Sequence, residues 1–222
     1  MTTLYSGPLS MFGAKAEIAV LEKGIACTRE FVPFSLATMY EPKHPVVAAA
    51  NPKAEVPVLV DGDLALYDST QVFEYLEDAF PNPPLWPVEL RQRARARQME
   101  LESDEVFFPN VIKLMPRARA AAGPEGVAAA QQAIASFYRK VDAGLAGREY
   151  LAGTFTYADI AFFMAQFFAG FLGCPPEGSL ANLAAWKERM SARPSVRTVA
   201  GAMADYLRAQ GLPIPDFANP EN

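Results

Sequence analysis

Between residues 80 and 87 the chain reads Phe-Pro-Asn-Pro-Pro-Leu-Trp-Pro, and the pattern of apolar residues differs on its two sides. Proline lacks the N–H that a helix interior or a central strand must donate, so no regular element is expected to cross this stretch. Upstream, short strand-like runs alternate with helical periodicity. Downstream, glycine and proline thin out and only helical periodicity remains. The chain therefore divides into an α/β unit and an all-helical unit joined by a proline-rich linker.

Upstream, Thr2 to Tyr5 reads as a strand. Residues 11–23 carry Ile18, Val20 and Leu21 among Lys15, Glu17, Glu22 and Lys23, a helix that Gly24 stops. "CTREFVPF" reads as a second strand, and a short helix is expected after it. Asp61-Gly62 between the apolar runs of residues 57–66 is a strong hairpin signal. A further helix spans about Ser69 to Ala79, with Val72, Phe73, Leu76 and Phe80 on one stripe. The sheet so assembled is mixed. Downstream, helices are expected over residues 88–121, 124–145, 156–171, 179–192 and 194–209, with an irregular tail over residues 211–222.

Bulk properties narrow the function classes. A net charge of −5 gives no electrostatic reason for nucleic acid as the main partner. Cys27 and Cys174 form neither a disulfide framework nor a metal cluster, which fits a reducing, cytoplasmic setting without a metal. The first residues lack the basic-then-apolar pattern of a secretory signal. The uncharged run from Ile160 to Pro176 falls short of the ~20 apolar residues of a spanning helix and reads as a core helix.

Particular motifs resemble the glutathione transferase family over nearly the whole chain. "NPKAEVPVLVDGD" is similar to that family's stretch around a cis-proline, and "YDSTQVFEYLEDAFP" to its acidic-residue-then-serine entry to a helix. "YLAGTFTYADIAFF" and "LAAWKERMSARPSV" resemble two signatures of its helical domain. The resemblance implies a thioredoxin-like domain with a mixed four-stranded sheet over residues 1–80, a linker over 81–88, and an all-helical domain over 89–222. It further implies a homodimer, glutathione as co-substrate rather than a bound cofactor, and a small hydrophobic electrophile, in a detoxification role.

The same resemblance assigns roles to residues. The Val56–Pro57 bond is expected to be cis, with the Val56 backbone pairing to glutathione as a short added strand. Asp68 would take the ammonium and Ser69 the carboxylate of the γ-glutamyl end, and both are also ordinary helix-capping types. Lys43 would lie near the glycyl end. There Glu55, where the family usually has lysine or glutamine, places a like charge. Ser10 is the expected catalytic residue, with Ser6 second and the Tyr5 ring expected to pack. On pattern alone Ser10 is the N-cap of the first helix; the resemblance makes its hydroxyl the stabiliser of the glutathione thiolate. A serine rather than a cysteine there argues against chemistry through a mixed disulfide. Met11, Phe12, Phe108, Val111 and Met115 are expected either to pack in cores or to line an electrophile pocket. His44, the only histidine, is expected to be exposed in a loop.

Thr156 to Asp159 reads as a helix-capping pattern with a structural role, so replacing Asp159 should cost on the order of 1 kcal/mol or more. Arg91, Arg93, Arg95 and Arg97 alternate along a helix with carboxylates after them, which argues against a nucleic-acid patch, and the family resemblance implies a subunit interface there. Two other functions stay open. "LYSGP" and "YLEDAFPNPPLWPV" also resemble the stringent starvation protein A type, which shares this fold and binds RNA polymerase without transferase activity. A non-catalytic glutathione or ligand carrier is the third reading.

Overall fold

The computed structural model describes residues 2–215, and it divides after Leu85 into two compact units. The expected irregular tail is described only as far as residue 215, where it is coil; the rest lies outside the described residues.

The first unit runs β1 (Thr2–Ser6), α1 (Met11–Glu22), β2 (Cys27–Phe31), α2 (Pro45–Ala50), β3 (Val58–Asp61), β4 (Leu64–Tyr67) and α3 (Ser69–Ala79). Its sheet has the order β2-β1-β3-β4, with β1 and β2 parallel and the other pairs antiparallel. Gly24 takes φ +63 just past α1 and Gly62 takes φ +63 in the hairpin, the left-handed region that glycine enters at low steric cost. Period-two alternation sends neighbouring residues of β1 to opposite faces. Leu4 joins Ala16, Val20, Leu59, Val72 and Leu76 beneath α1 and α3, while Tyr5 packs with Val32, Val47 and Val58 on the other side.

The charges in α1 and at its C-cap, Lys23, are placed unusually. Leu21 is 45% exposed, whereas Lys15, Glu17 and Lys23 are buried. Lys23 Nζ lies 2.7 Å from the Glu77 carboxylate and donates to the Pro83 carbonyl at 3.0 Å. Glu77 in turn accepts from the Leu85 N–H. These contacts hold residues 80–85 of the proline-rich stretch against the first unit.

The second unit is helical throughout: α4 (Leu90–Glu102), α5 (Phe108–Ile112), α6 (Pro116–Gly144), α7 (Tyr157–Phe171), α8 (Ala181–Ala192) and α9 (Pro194–Ala209). The single helix expected over residues 88–121 is corrected. After α4 comes a π-helical turn, Ser103–Phe107, then α5, and the chain breaks before α6. Pro109 has no N–H for the Glu105 carbonyl, which accounts for the slip in the ladder. Met115 is extended, with ψ 143, because Pro116 follows it. α6 is interrupted at Gly123, where φ 67 and ψ 176 are not helical, so the helix expected from residue 124 does begin there, and a separate helical segment over residues 116–122 precedes it.

Every residue of α7 from Tyr157 to Ala169 is buried, so the uncharged run is the spine of this unit. Among the described residues no helix is long and apolar enough to cross a membrane. Asp159 lies fully buried in its first turn. Its Oδ2 accepts from the Thr156 N–H at 2.9 Å and hydroxyl at 3.0 Å; its Oδ1 accepts from the Leu151 N–H and the Trp186 indole N–H, both at 2.9 Å. The capping pattern is thus also a tertiary tie between α7, the preceding loop and α8.

Candidate active site

Three loops of the first unit bring the sequence-predicted residues to the ends of its strands: the turn after β1, the segment before β3 and the turn between β4 and α3. Ser10 is the N-cap of α1, with extended backbone and its Oγ accepting from the Gly13 N–H at 2.9 Å. It is 8% exposed. A hydroxyl is both donor and acceptor, so with its oxygen engaged by the helix the Ser10 proton can still be donated. Among the described residues nothing takes it.

Ser6 is differently placed. It is fully buried, and its hydroxyl donates to Glu17 Oε1, whose other oxygen accepts from Arg29 Nη1 at 2.9 Å. Burial pushes the Glu17 carboxyl up from its ordinary value, while the bonds from Ser6 and Arg29 pull it back. The Ser6 proton is therefore committed to Glu17, leaving Ser10 as the serine with a donor to offer. Gly13 separates the two: a methyl added there would come within 2.2 Å of Ser6 Oγ and 3.0 Å of Ser10 Oγ, so only glycine fits. The Tyr5 ring packs 5.1 Å from that of His44.

The Val56–Pro57 bond is cis, as are Glu41–Pro42 and Asn82–Pro83. The turn before it is held by buried Asn51, which donates to the Glu55 carbonyl at 2.7 Å and accepts from the Lys53 N–H at 3.0 Å. Sequence reasoning assigned Asn51 no role; the Asn-Pro pair at 51–52 is the turn signal that marks it. Glu55 is exposed, and Lys43 is half-buried with its Nζ 3.4 Å from Glu41. His44 is not exposed as expected: its side chain is 19% exposed, with Nε2 3.3 Å from Glu30, because the Tyr5 ring covers it.

Asp68 has φ +73 and ψ 130, a left-handed conformation that costs a non-glycine residue about 1–3 kcal/mol. One oxygen, Oδ1, caps α3 by accepting from the N–H groups of Thr70 and Gln71 at 3.0 and 3.1 Å. No hydrogen bond to the other oxygen, Oδ2, is found among the described residues, and Asp68 is exposed. Ser69 is buried as the first residue of α3.

The residues expected to line an electrophile pocket belong to both units. In the first, Met11 is buried at the start of α1 and Phe12 lies with its ring 5.7 Å from Lys15 Nζ. In the second, Phe108 and Val111 are buried, Phe108 edge-on to Phe168, and Met115 is half-buried ahead of α6. Burial raises both cysteine thiols, Cys27 and Cys174, above their ordinary value, which is unlike an activated redox nucleophile. Among the described residues no cluster could hold a metal ion.

Sequence and structure comparisons bear on the family and the fold. The sequence models of the glutathione S-transferase N-terminal and C-terminal domains match residues 4–84 and 99–194. A stringent starvation protein A homolog from Coxiella burnetii is 36% identical over 108 residues, 48% of each chain, so the protein spans about half the length of that relative in the match. Glutathione S-transferase 3 from Zea mays is 30% identical over 213 residues, covering 90% of this chain and 93% of that one. A crystal structure of a glutathione S-transferase from Rhodospirillum rubrum superposes with a TM-score of 0.77 at 25% identity, covering 90% of this chain and 92% of the other. With both domain models matched in order and a relative aligned almost end to end, the chain belongs to the glutathione S-transferase family.

Proposed function

We propose that this protein is a glutathione transferase in which the Ser10 hydroxyl stabilises the thiolate of bound glutathione for attack on a small hydrophobic electrophile. The observation that carries this reading is the Ser10 hydroxyl itself, held by the Gly13 N–H at the head of α1 with its proton left to donate. A free cysteine thiol has a pKa of about 8.5, and each unit of lowering needs roughly 1.4 kcal/mol of preference for the thiolate. A hydrogen bond to a charged group contributes about 1.5–3 kcal/mol, and a helix N-terminus adds to it. One hydroxyl at this position suffices for a shift of about one to two units.

In this reading the Val56 backbone pairs with the cysteinyl part of glutathione, Asp68 Oδ2 takes the ammonium, Ser69 the γ-glutamyl carboxylate and Lys43 the glycyl carboxylate. The protein acts as a homodimer in a reducing compartment. Asp68 offers a clean separation of roles. Asp68→Gly removes a cap at a cost of a few tenths of a kcal/mol and relieves the positive φ, so thermal stability should hold or rise slightly. Glutathione affinity should nonetheless fall about threefold to tenfold, the range for an ion contact on an exposed side chain. Parallel loss of stability and affinity would contradict the assignment.

A second reading, an RNA polymerase-associated regulator without transferase activity, draws support from the stringent starvation protein A homologs among the relatives. Calorimetry with reduced glutathione separates the two. Saturable binding is expected under the first reading. Its absence at saturating ligand, together with capture of purified RNA polymerase, would establish the second.

A further inference from the structure

The buried cluster behind Ser10 is larger than thiolate stabilisation by one hydroxyl requires. Glu17 carries a charge-bearing group into the interface between α1 and the sheet, and three elements converge on it. Ser6 reaches it from the end of β1, and Arg29 reaches it from β2, where Leu4 of β1 pairs with Arg29 in register. The third element is α1 itself, with Gly13 one turn before Glu17 on the same helix face. Arg29 spans this corner with its guanidinium 4.6 Å from the Phe31 ring, and the other cation nearby in α1 is buried Lys15.

We propose that Glu17 and Arg29 are positioning residues for Ser10: they lock the Ser6 hydroxyl against Gly13, whose N–H sets the direction in which the Ser10 hydroxyl points. The inference rests on the transferase reading above. An ionised Glu17 accepts only, so it consumes the Ser6 proton and leaves the Ser6 oxygen turned to the Cα of Gly13. That oxygen and the Ser10 oxygen both crowd the Cβ side of Gly13, closely enough that a methyl at Gly13 would lie 2.2 Å from one and 3.0 Å from the other. Gly13 therefore cannot shift without moving both. Hydrogen-bond strength falls steeply with misalignment, so a donor aimed at a thiolate gains from such a rigid backing. The charge of Arg29 and its bond to Glu17 oppose the rise that burial imposes on this carboxyl and so favour the form that accepts. Without it, burial favours the neutral carboxyl, which no longer fixes the direction of the Ser6 bond. The same cluster keeps Ser6 from competing with Ser10 as donor.

Arg29 is the residue to change, because its side chain is 41% exposed and its loss should spare folding. The apparent pKa of the bound glutathione thiol, read by thiolate absorbance, is compared for wild type, Arg29→Ala and Arg29→Lys, each with Ser10 and with Ser10→Ala. The account expects Arg29→Ala to raise that pKa by about half a unit, part of the value of one aligned hydrogen bond, and Arg29→Lys to restore it. With Ser10→Ala in place, Arg29→Ala should add nothing. A clamp that only stabilised the fold would lower the melting temperature without moving the thiol. An unmoved thiol in Arg29→Ala, or an equal further rise in the Ser10→Ala background, overturns the positioning role while leaving Ser10's own role standing. A thiol unmoved by Ser10→Ala alone overturns both, and the single variant shows which has failed.

Discussion

Asp159→Asn is expected to lower the midpoint of thermal unfolding by roughly 10 °C, although the two side chains have nearly the same shape. Both Asp159 oxygens are acceptors in use. Oδ1 receives the Leu151 N–H and the Trp186 indole N–H, and Oδ2 receives the Thr156 N–H and hydroxyl. An amide must turn its NH2 toward one of these pairs, setting donors against donors at a fully buried position. Each orphaned buried donor costs about 1–3 kcal/mol, and breaking a buried charged network costs about 3–5 kcal/mol in total. Asp159→Ala should cost a similar amount, since it leaves the same donors unmatched and adds a small cavity. The expectation from the capping pattern alone, on the order of 1 kcal/mol or more, rested on the N-cap, and the ties to Leu151 and Trp186 add to it.

The pH dependence of this contribution has a definite sign. Burial raises the Asp159 carboxyl above its ordinary value, and the four donors oppose that shift. A folded-state value above the unfolded one means that folding takes up a proton between them. Asp159's own contribution is therefore greatest below the unfolded value and declines as pH climbs from there to the raised folded value. Differential scanning calorimetry of wild type and Asp159→Asn checks both claims. A drop of only a degree or two would show that neither tie matters.

Ser10→Ala is expected to raise the apparent pKa of bound glutathione's thiol by about one to two units and to lower kcat/KM for conjugation about 10- to 100-fold at neutral pH. Loss of the Ser10 Oγ that accepts from the Gly13 N–H costs about 1 kcal/mol of helix capping, a separate stability effect. Ser10→Thr keeps a hydroxyl at the cap and should retain most of the activity. Steady-state kinetics at several pH values distinguish the effects: the deficit of Ser10→Ala should shrink as pH rises, because hydroxide supplies the thiolate that the protein no longer stabilises. A deficit that stays constant with pH would assign Ser10 to folding alone.

Local signals in the sequence carried much of the first unit. Gly24 and Asp61-Gly62 fix a helix end and a hairpin by backbone conformation that few other residues adopt, and Asp68-Ser69 marks the start of α3 in the same way. Other features depend on partners far apart in sequence. Nothing near Asp159 points to Trp186, and nothing near Lys23 points to Glu77 and the Pro83 carbonyl, since both ties form only after the elements pack. Spacing equally hid the reversal in α1, where Leu21 faces water while Lys15 and Glu17 turn inward. The helix expected over residues 88–121 failed for a local reason that was legible, Pro109 and Pro116, each of which ends a stretch of ladder. Ser10 and Ser6 look alike as residues. The cap position and the family resemblance already ranked Ser10 first; what the sequence hid is the commitment of the Ser6 proton to Glu17, which depends on Arg29 arriving from β2.

The central claim is that this chain binds glutathione and ionises its thiol. The most direct test is a thiolate absorbance titration of the wild-type protein at saturating glutathione. An apparent thiol pKa about one to two units below the free value of about 8.5 is expected. Glutathione that stays unbound, or binds with its thiol pKa unchanged, would contradict it.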